Sequence, residues 1–275
     1  MSEFDTRPLL LSDTVAIRDV VCEGTCKHKS GEEVVTATHL VFPYRGIYVR
    51  HVGRAEAIAD ANQVVLFNED ESYRISHPVD GGDSSLSIGA SPATLLELAP
   101  ADYLTKGKAA FNRSRLRIDE GVQALTALLR HSLSLGVIDT LEAETLALVL
   151  LRRALNERTS RVVARSVGRQ KLVDRAKLVL ASDLGRRWTL AEIAADVGVS
   201  PVYLTQVFQQ VEGVPLYRYQ LRLRLARALD LLGDYDDLSS LALDLGFSSH
   251  SHFSAAFKQA YGLTPRGFQS STRIR

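Results

Sequence analysis

Ile193-Ala194-Ala195-Asp196-Val197-Gly198 is answered, 48 residues on, by Leu241-Ala242-Leu243-Asp244-Leu245-Gly246. The pairing resumes after one extra residue. Leu204 and Phe208 match Phe253 and Phe257 at a shift of 49, Gly213 matches Gly262, and Tyr219-Gln220 matches Phe268-Gln269. So long a match within one chain marks a duplicated supersecondary unit, and it governs the reading of everything around it.

Each copy has the grammar of two helices joined by a tight turn. Ala194 and Ala242 are small enough for a second helix to cross closely. Gly198 and Gly246 stand where the first helix ends and a positive φ is wanted. Ser200 is a good N-cap and Pro201 a good first helical residue for the helix that follows. Thr189 with Glu192 is a candidate capping box for the helix before it. Ile193, Val197, Leu204, Val207 and Phe208 supply the shared apolar core.

Between the copies, Pro215 to Leu232 reads as a helix of about 18 residues, roughly 27 Å long. Leu221, Leu225, Leu229 and Leu232 form its apolar stripe. Gln220, Arg224 and Arg227 fall on one row, with Arg218 and Arg222 beside it. These arginines either meet phosphates or form a solvated face paired with Asp230 or Asp234. A helix of that length can hold two recognition helices near the ~34 Å separation of successive major-groove faces.

Charge agrees with that direction. Residues 168–275 carry 14 Lys+Arg against 10 Asp+Glu, whereas residues 1–167 carry 19 against 22. A basic part attached to an acidic one is the footprint of nucleic-acid binding. The apolar content of 45% and charged content of 24% are those of an ordinary globular chain long enough for two domains. No apolar run approaches the ~18–20 residues of a membrane span, and no signal peptide opens the chain. Two cysteines imply no disulfide framework, so the expected setting is the cytoplasm, with no membrane partner.

Further forward, residues from about Leu9 to Leu98 read as short strands. Val34–Phe42, Gly46–Val52 and Gln63–Phe67 are rich in β-branched and aromatic residues, and Pro43, Gly53, Asn68 and Pro78…Gly81-Gly82 break them up. That spacing suggests a sandwich or small barrel. From residue 110 the period changes, and Val122–Leu135 and Thr140–Ala154 read as helices. They either pack on the strand domain or form a dimerisation face. Residues 156–168 are polar and basic and read as a linker.

The C-terminal stretch, about 170–268, resembles the DNA-binding domain of the AraC/XylS family of transcription regulators. The resemblance rests on Arg222-Leu-Arg-Leu-Arg and on Gly246-Phe247-Ser248-Ser249…Phe253…Phe257…Tyr261-Gly262-Leu263-Thr264-Pro265. It implies an all-helical domain over 168–275 with two helix-turn-helix units joined by a long helix. Forward of it, Phe67-Asn68-Glu69…Tyr73-Arg74-Ile75-Ser76-His77-Pro78…Gly81-Gly82-Asp83 resembles the cupin-like effector domain that often precedes such a module, which implies an α+β multidomain chain with a cupin-like effector β-barrel over 1–105 and a helical dimerisation or linker region over 106–167. The family resemblance implies double-stranded DNA as partner, RNA polymerase if the chain is an activator, a possible small-molecule effector, and a homodimer.

The residues it places against DNA are Val202, Thr205, Gln206 and Gln209 in the first unit, and His250, Ser251, Ser254 and Lys258 in the second. Arg218, Arg222, Arg224 and Arg227 join them from the connecting helix. Gln206 has the geometry to read adenine, and Val202 and Thr205 offer methyls to thymine. Ala255 departs from the arginine frequent there in the family, which leaves the second unit mainly a phosphate anchor. The alternative is a ligand-binding or interaction protein with weakened DNA binding.

No catalytic constellation is visible. His39, His51 and His77 are dispersed, no His-x-His occurs, and Ser84-Ser85 and Ser248-Ser249 lack an accompanying base. Cys22-Glu-Gly-Thr-Cys26-Lys-His28 does not have the usual zinc spacing and reads as ordinary strand and loop, with metal or thiol sensing the minor alternative. No cofactor or metal is expected.

Overall fold

The computed structural model describes residues 4–24, 27–156 and 167–272. The chain divides into two compact units, one of residues 1–160 with 270–275 and the other of residues 161–269.

The first unit is built on ten strands: β1 (Phe4–Leu11), β2 (Val15–Cys22), β3 (Glu33–Val34), β4 (His39–Gly46), β5 (Tyr48–Val52), β6 (Ala55–Ala59), β7 (Gln63–Phe67), β8 (Ser72–Ser76), β9 (Asp83–Ala90) and β10 (Arg115–Arg117). They form a six-stranded sheet in the order β1-β2-β9-β4-β7-β10 and a four-stranded sheet in the order β3-β8-β5-β6. Helix α1 (Pro92–Leu98) follows β9, and α2 (Glu120–Leu135) and α3 (Thr140–Ala154) follow β10.

Period-two alternation explains the layering. Leu40 and Phe42 of β4, with Val64 and Leu66 of β7, join a core with Leu95, Val122, Leu129, Ala147 and Leu151 from the three helices. The intervening Val41, Val65 and Phe67 point the other way, into a second core with Val35, Tyr48 and Ala59. The central strands are thus buried on both faces, which is why Val64-Val65-Leu66-Phe67 is an unbroken apolar run. Helices α2 and α3 belong to this first core and pack on the strands, the first of the two arrangements considered for them. Their caps are local chemistry: Asp119 and Asp139 accept from the backbone N–H groups of Val122 and Glu142.

Three expectations need correction. The strands do not close into a barrel: each sheet keeps two terminal strands, and the chain passes between sheets at the Asp60–Asn62 turn rather than continuing one ladder. The expected strand Val34–Phe42 is interrupted, because Val35 is drawn aside by backbone bonds with Asp70 and Glu71. Pro43 lies inside β4 rather than ending it, tolerated at a register shift between Pro43 and Arg45. The proposed linker falls mostly on residues 157–166, outside the described residues.

The second unit is helical: α4 (Val167–Ser182), α5 (Leu190–Asp196), α6 (Pro201–Glu212), α7 (Leu216–Leu231), α8 (Leu238–Asp244), α9 (His250–Tyr261) and α10 (Pro265–Thr272). No helix among the described residues is long and apolar enough to cross a membrane.

Candidate nucleic-acid interface

The pairs α5–α6 and α8–α9 arise from the duplicated sequence, and local chemistry sets both. Thr189 and Glu192 form a reciprocal capping box at the start of α5. Ser200 caps α6, with Pro201 behind it, and Ser249 caps α9 by accepting from the N–H of His252. Gly198 and Gly246 turn the chain at φ 75° and 78°. The two are not equivalent. A Cβ on Gly198 would meet nothing, whereas one on Gly246 would lie 2.1 Å from the carbonyl oxygen of Gly185.

The inward face of α6 buries Leu204, Val207, Phe208 and Val211, and that of α9 buries Phe253 and Phe257. Phe208 meets Tyr219 of α7 edge-on, and Phe257 meets Phe268 of α10 in the same way. Tyr219 and Phe268 are themselves repeat partners, so the duplication extends to the packing. Beneath α6, the buried Lys177 of α4 pairs with Glu212 at 2.9 Å.

With those faces inward, the opposite faces are fixed. Val202, Thr205, Gln206 and Gln209 are all exposed on α6, Val202 to 68%. The Thr205 hydroxyl donates to the carbonyl of Pro201, which leaves its methyl as the group available outward. Among the described residues, the amide of Gln206 makes no intramolecular hydrogen bond. On α9, His250, Ser251, Ala255 and Lys258 are exposed and Ser254 is half-buried. His250 and Ser254 share a 3.2 Å contact. Tyr203, 45% exposed beside Val202, and Gln210 stand on the same side of α6. The i+3 and i+7 spacings of 203, 206 and 210 carried that signal in the sequence.

The connecting helix departs from expectation. It has 16 residues, with Pro215 and Leu232 as its caps, so its length is about 24 Å. Arg218 is exposed, and neither it nor Lys258 makes an ion pair among the described residues. Arg222 is half-buried. Arg224 is engaged within the unit. Its guanidinium donates to three carbonyls, of Leu184 at 2.9 Å, Gly246 at 3.2 Å and Arg186 at 2.7 Å. Partial burial lowers its pKa, helped by the nearby charge of Arg187. Arg224 therefore ties the α8–α9 turn to the loop before α5. Arg227 pairs with Asp230 one turn away, the solvated-face arrangement left open above.

In the strand unit, the three dispersed histidines find separate partners. His39 stacks on Phe67 at 4.9 Å, and burial lowers its pKa. His51 contacts the Ser76 hydroxyl at 2.8 Å and Glu56 at 3.3 Å; burial, then the charge of Lys29, lowers its pKa. His77 contacts Asp83. The guanidinium of Arg50, 1% exposed, donates to the carbonyl of Leu66, pairs with Glu71 and lies 3.9 Å over the Phe67 ring. Cys26 lies outside the described residues, and His28 is exposed.

Residues 193–271 match a family described as a helix-turn-helix domain. The chain is 26% identical over 232 residues to the probable transcriptional regulator LumQ of Photobacterium leiognathi, covering 82% of this chain and 89% of that one. It is 33% identical over 81 residues to the regulatory protein PocR of Salmonella typhimurium, 29% of this chain but only 27% of PocR. Among solved structures, a transcriptional regulator with an AraC-type DNA-binding domain from Chromobacterium violaceum is 30% identical. It covers 39% of this chain and 97% of that one, with a TM-score of 0.37.

Proposed function

We propose that the C-terminal unit of this chain, whose residues 193–271 match a helix-turn-helix family, is an AraC-type DNA-binding domain, and that the chain is a sequence-specific transcription regulator that inserts α6 and α9 into successive major grooves. The observation that carries this reading is the outward row Val202, Thr205, Gln206 and Gln209, held outward by the buried Leu204, Val207, Phe208 and Val211, with a counterpart outward row on α9. Gln206 offers one donor and one acceptor to an adenine edge, and Val202 and the Thr205 methyl offer apolar contact to thymine. Arg218 and Lys258 supply exposed positive charge for phosphates, which fixes register without reading sequence.

The two units divide the labour unequally. On α9, Ala255 offers a methyl but no hydrogen bond to a base edge, and His250 and Ser254 engage each other. The second unit then serves chiefly as an anchor. In this reading, the strand unit receives a small-molecule effector, α2 and α3 provide a homodimer contact, and RNA polymerase is the further partner when the chain activates. The setting is the cytoplasm, where DNA and polymerase are. One observation favours weakened DNA binding in an interaction protein: Arg224 and Arg227, two of the four arginines of α7, have internal partners.

Capture and sequencing of genomic fragments by the purified chain tests the proposal. Enrichment of sites with one well-defined half-site and a weaker one about 10 base pairs away supports it. Recovery of fragments with no shared motif overturns it.

A further inference from the structure

Cys22 ends β2 and is the cross-strand partner of Asp83, the first residue of β9, in the six-stranded sheet. His77 follows β8 of the four-stranded sheet. The topology thus gathers, from both sheets, three side chains that lie 55 and 6 residues apart in sequence. All three are buried, and one sulfur, one imidazole nitrogen and one carboxylate oxygen lie within 4.8 Å of one another.

The hydrogen bonding around them is unfinished. Nε2–H of His77 donates to Asp83 Oδ1 at 2.7 Å, and the Ser85 hydroxyl donates to Asp83 Oδ2 at 3.2 Å. Nδ1 of His77 is buried with no hydrogen-bond partner. With the proton on Nε2, Nδ1 carries an exposed lone pair in a side chain only 2% accessible. An imidazole whose other nitrogen donates to a carboxylate is oriented and made more basic for coordination. The surrounding backbone leaves no room for other side chains: a Cβ on Gly82 would lie 2.1 Å from the carbonyl oxygen of Cys22, and one on Gly24 would lie 2.5 Å from the Cα of Gly82.

We propose that Cys22, His77 and Asp83 form a binding site for a thiophilic divalent transition ion of the zinc class, one that clips the two sheets together at this corner. Thiolate, imidazole and carboxylate are the donor types zinc takes, whereas calcium and magnesium want oxygen alone. On binding, the Cys22 thiol loses its proton to solvent and its sulfur bonds the ion. With Asp83 holding the ring of His77 through Nε2, Cys22 and Nδ1 of His77 bind the ion and water fills its other positions; with Asp83 turned onto the ion, three protein donors leave the fourth position to water. The site stands independently of the DNA-binding reading.

The test uses the full chain, stripped with a chelator under reducing conditions and titrated with Co²⁺ and then Zn²⁺ alone. A near-ultraviolet thiolate-to-cobalt band that saturates, and that about one equivalent of zinc displaces, is the expected result. Cys22→Ser abolishes the band, His77→Gln weakens cobalt binding about tenfold or more, and Cys26→Ser leaves it intact. Because a variant at buried His77 risks unfolding, the unaltered chain gives a second readout: zinc protects Cys22 from alkylation, located by mass spectrometry of its peptide. A missing thiolate band, a band that survives Cys22→Ser, or Cys22 alkylated equally fast in saturating zinc overturns the assignment.

Discussion

Replacing Arg224 with alanine separates two roles that its sequence row does not distinguish. The guanidinium donates three hydrogen bonds to backbone carbonyls, and those to Leu184 and Gly246 are partly buried. The bond to Arg186 is exposed, so water replaces it at little cost. A hydrogen bond to a charged group contributes about 1.5–3 kcal/mol, and partial exposure places these two near the lower end. Arg224→Ala is therefore expected to destabilise the helical unit by about 2–3 kcal/mol. Arg224→Lys keeps the charge but loses the forked geometry and recovers less than half of that. Trp188, the sole tryptophan, lies in the loop that Arg224 holds, so its fluorescence during urea unfolding reports this unit. A stability change below about 0.5 kcal/mol, together with a salt slope for DNA binding reduced by about 1, would make Arg224 a phosphate contact and refute the reasoning.

Other perturbations are equally specific. Gln206→Ala should relax preference at one base pair by about 1–3 kcal/mol; equal losses on selected and random DNA would remove its reading role. Gly246→Ala should destabilise the helical unit by more than Gly198→Ala, because both pay φ strain of about 1–2 kcal/mol but only the first drives a Cβ into a carbonyl; similar midpoints in urea would contradict the packing described. Glu192 is held at about 2 by the Thr189 hydroxyl, then the Thr189 N–H, then Arg186, instead of the usual 4.5. A depressed carboxylate stabilises the fold above its ordinary range, and that contribution fades as pH falls from about 4.5 through 2. An NMR midpoint for Glu192 near 4.5 would mean that the capping box is not formed in solution.

What the sequence revealed was local. Caps at Thr189 and Ser200, the positive-φ turns at Gly198 and Gly246 and the apolar spacing of α6 depend on neighbours within a few residues. They were readable, and duplication made them doubly so. Contacts that join distant segments were hidden. Arg224 sits in a clean helical row, and nothing in that row announces carbonyls at 184, 186 and 246. The choice between sandwich and barrel was hidden as well, because closure depends on which strands pair. The break at Val35 follows from a turn 35 residues later, at Asp70. The grouping of Cys22 with His77 and Asp83 is a product of topology alone, invisible beside the more conspicuous Cys22…Cys26…His28 spacing.

The central claim, that α6 and α9 present a DNA-reading surface, is tested most directly by fluorescence anisotropy of the full chain on DNA from its own upstream region. Random DNA is the control, and both are followed across a salt series. The account expects selective binding whose affinity falls steeply with salt, as counterions leave the contacted phosphates. Binding that is equally weak on both DNAs and insensitive to salt would contradict it.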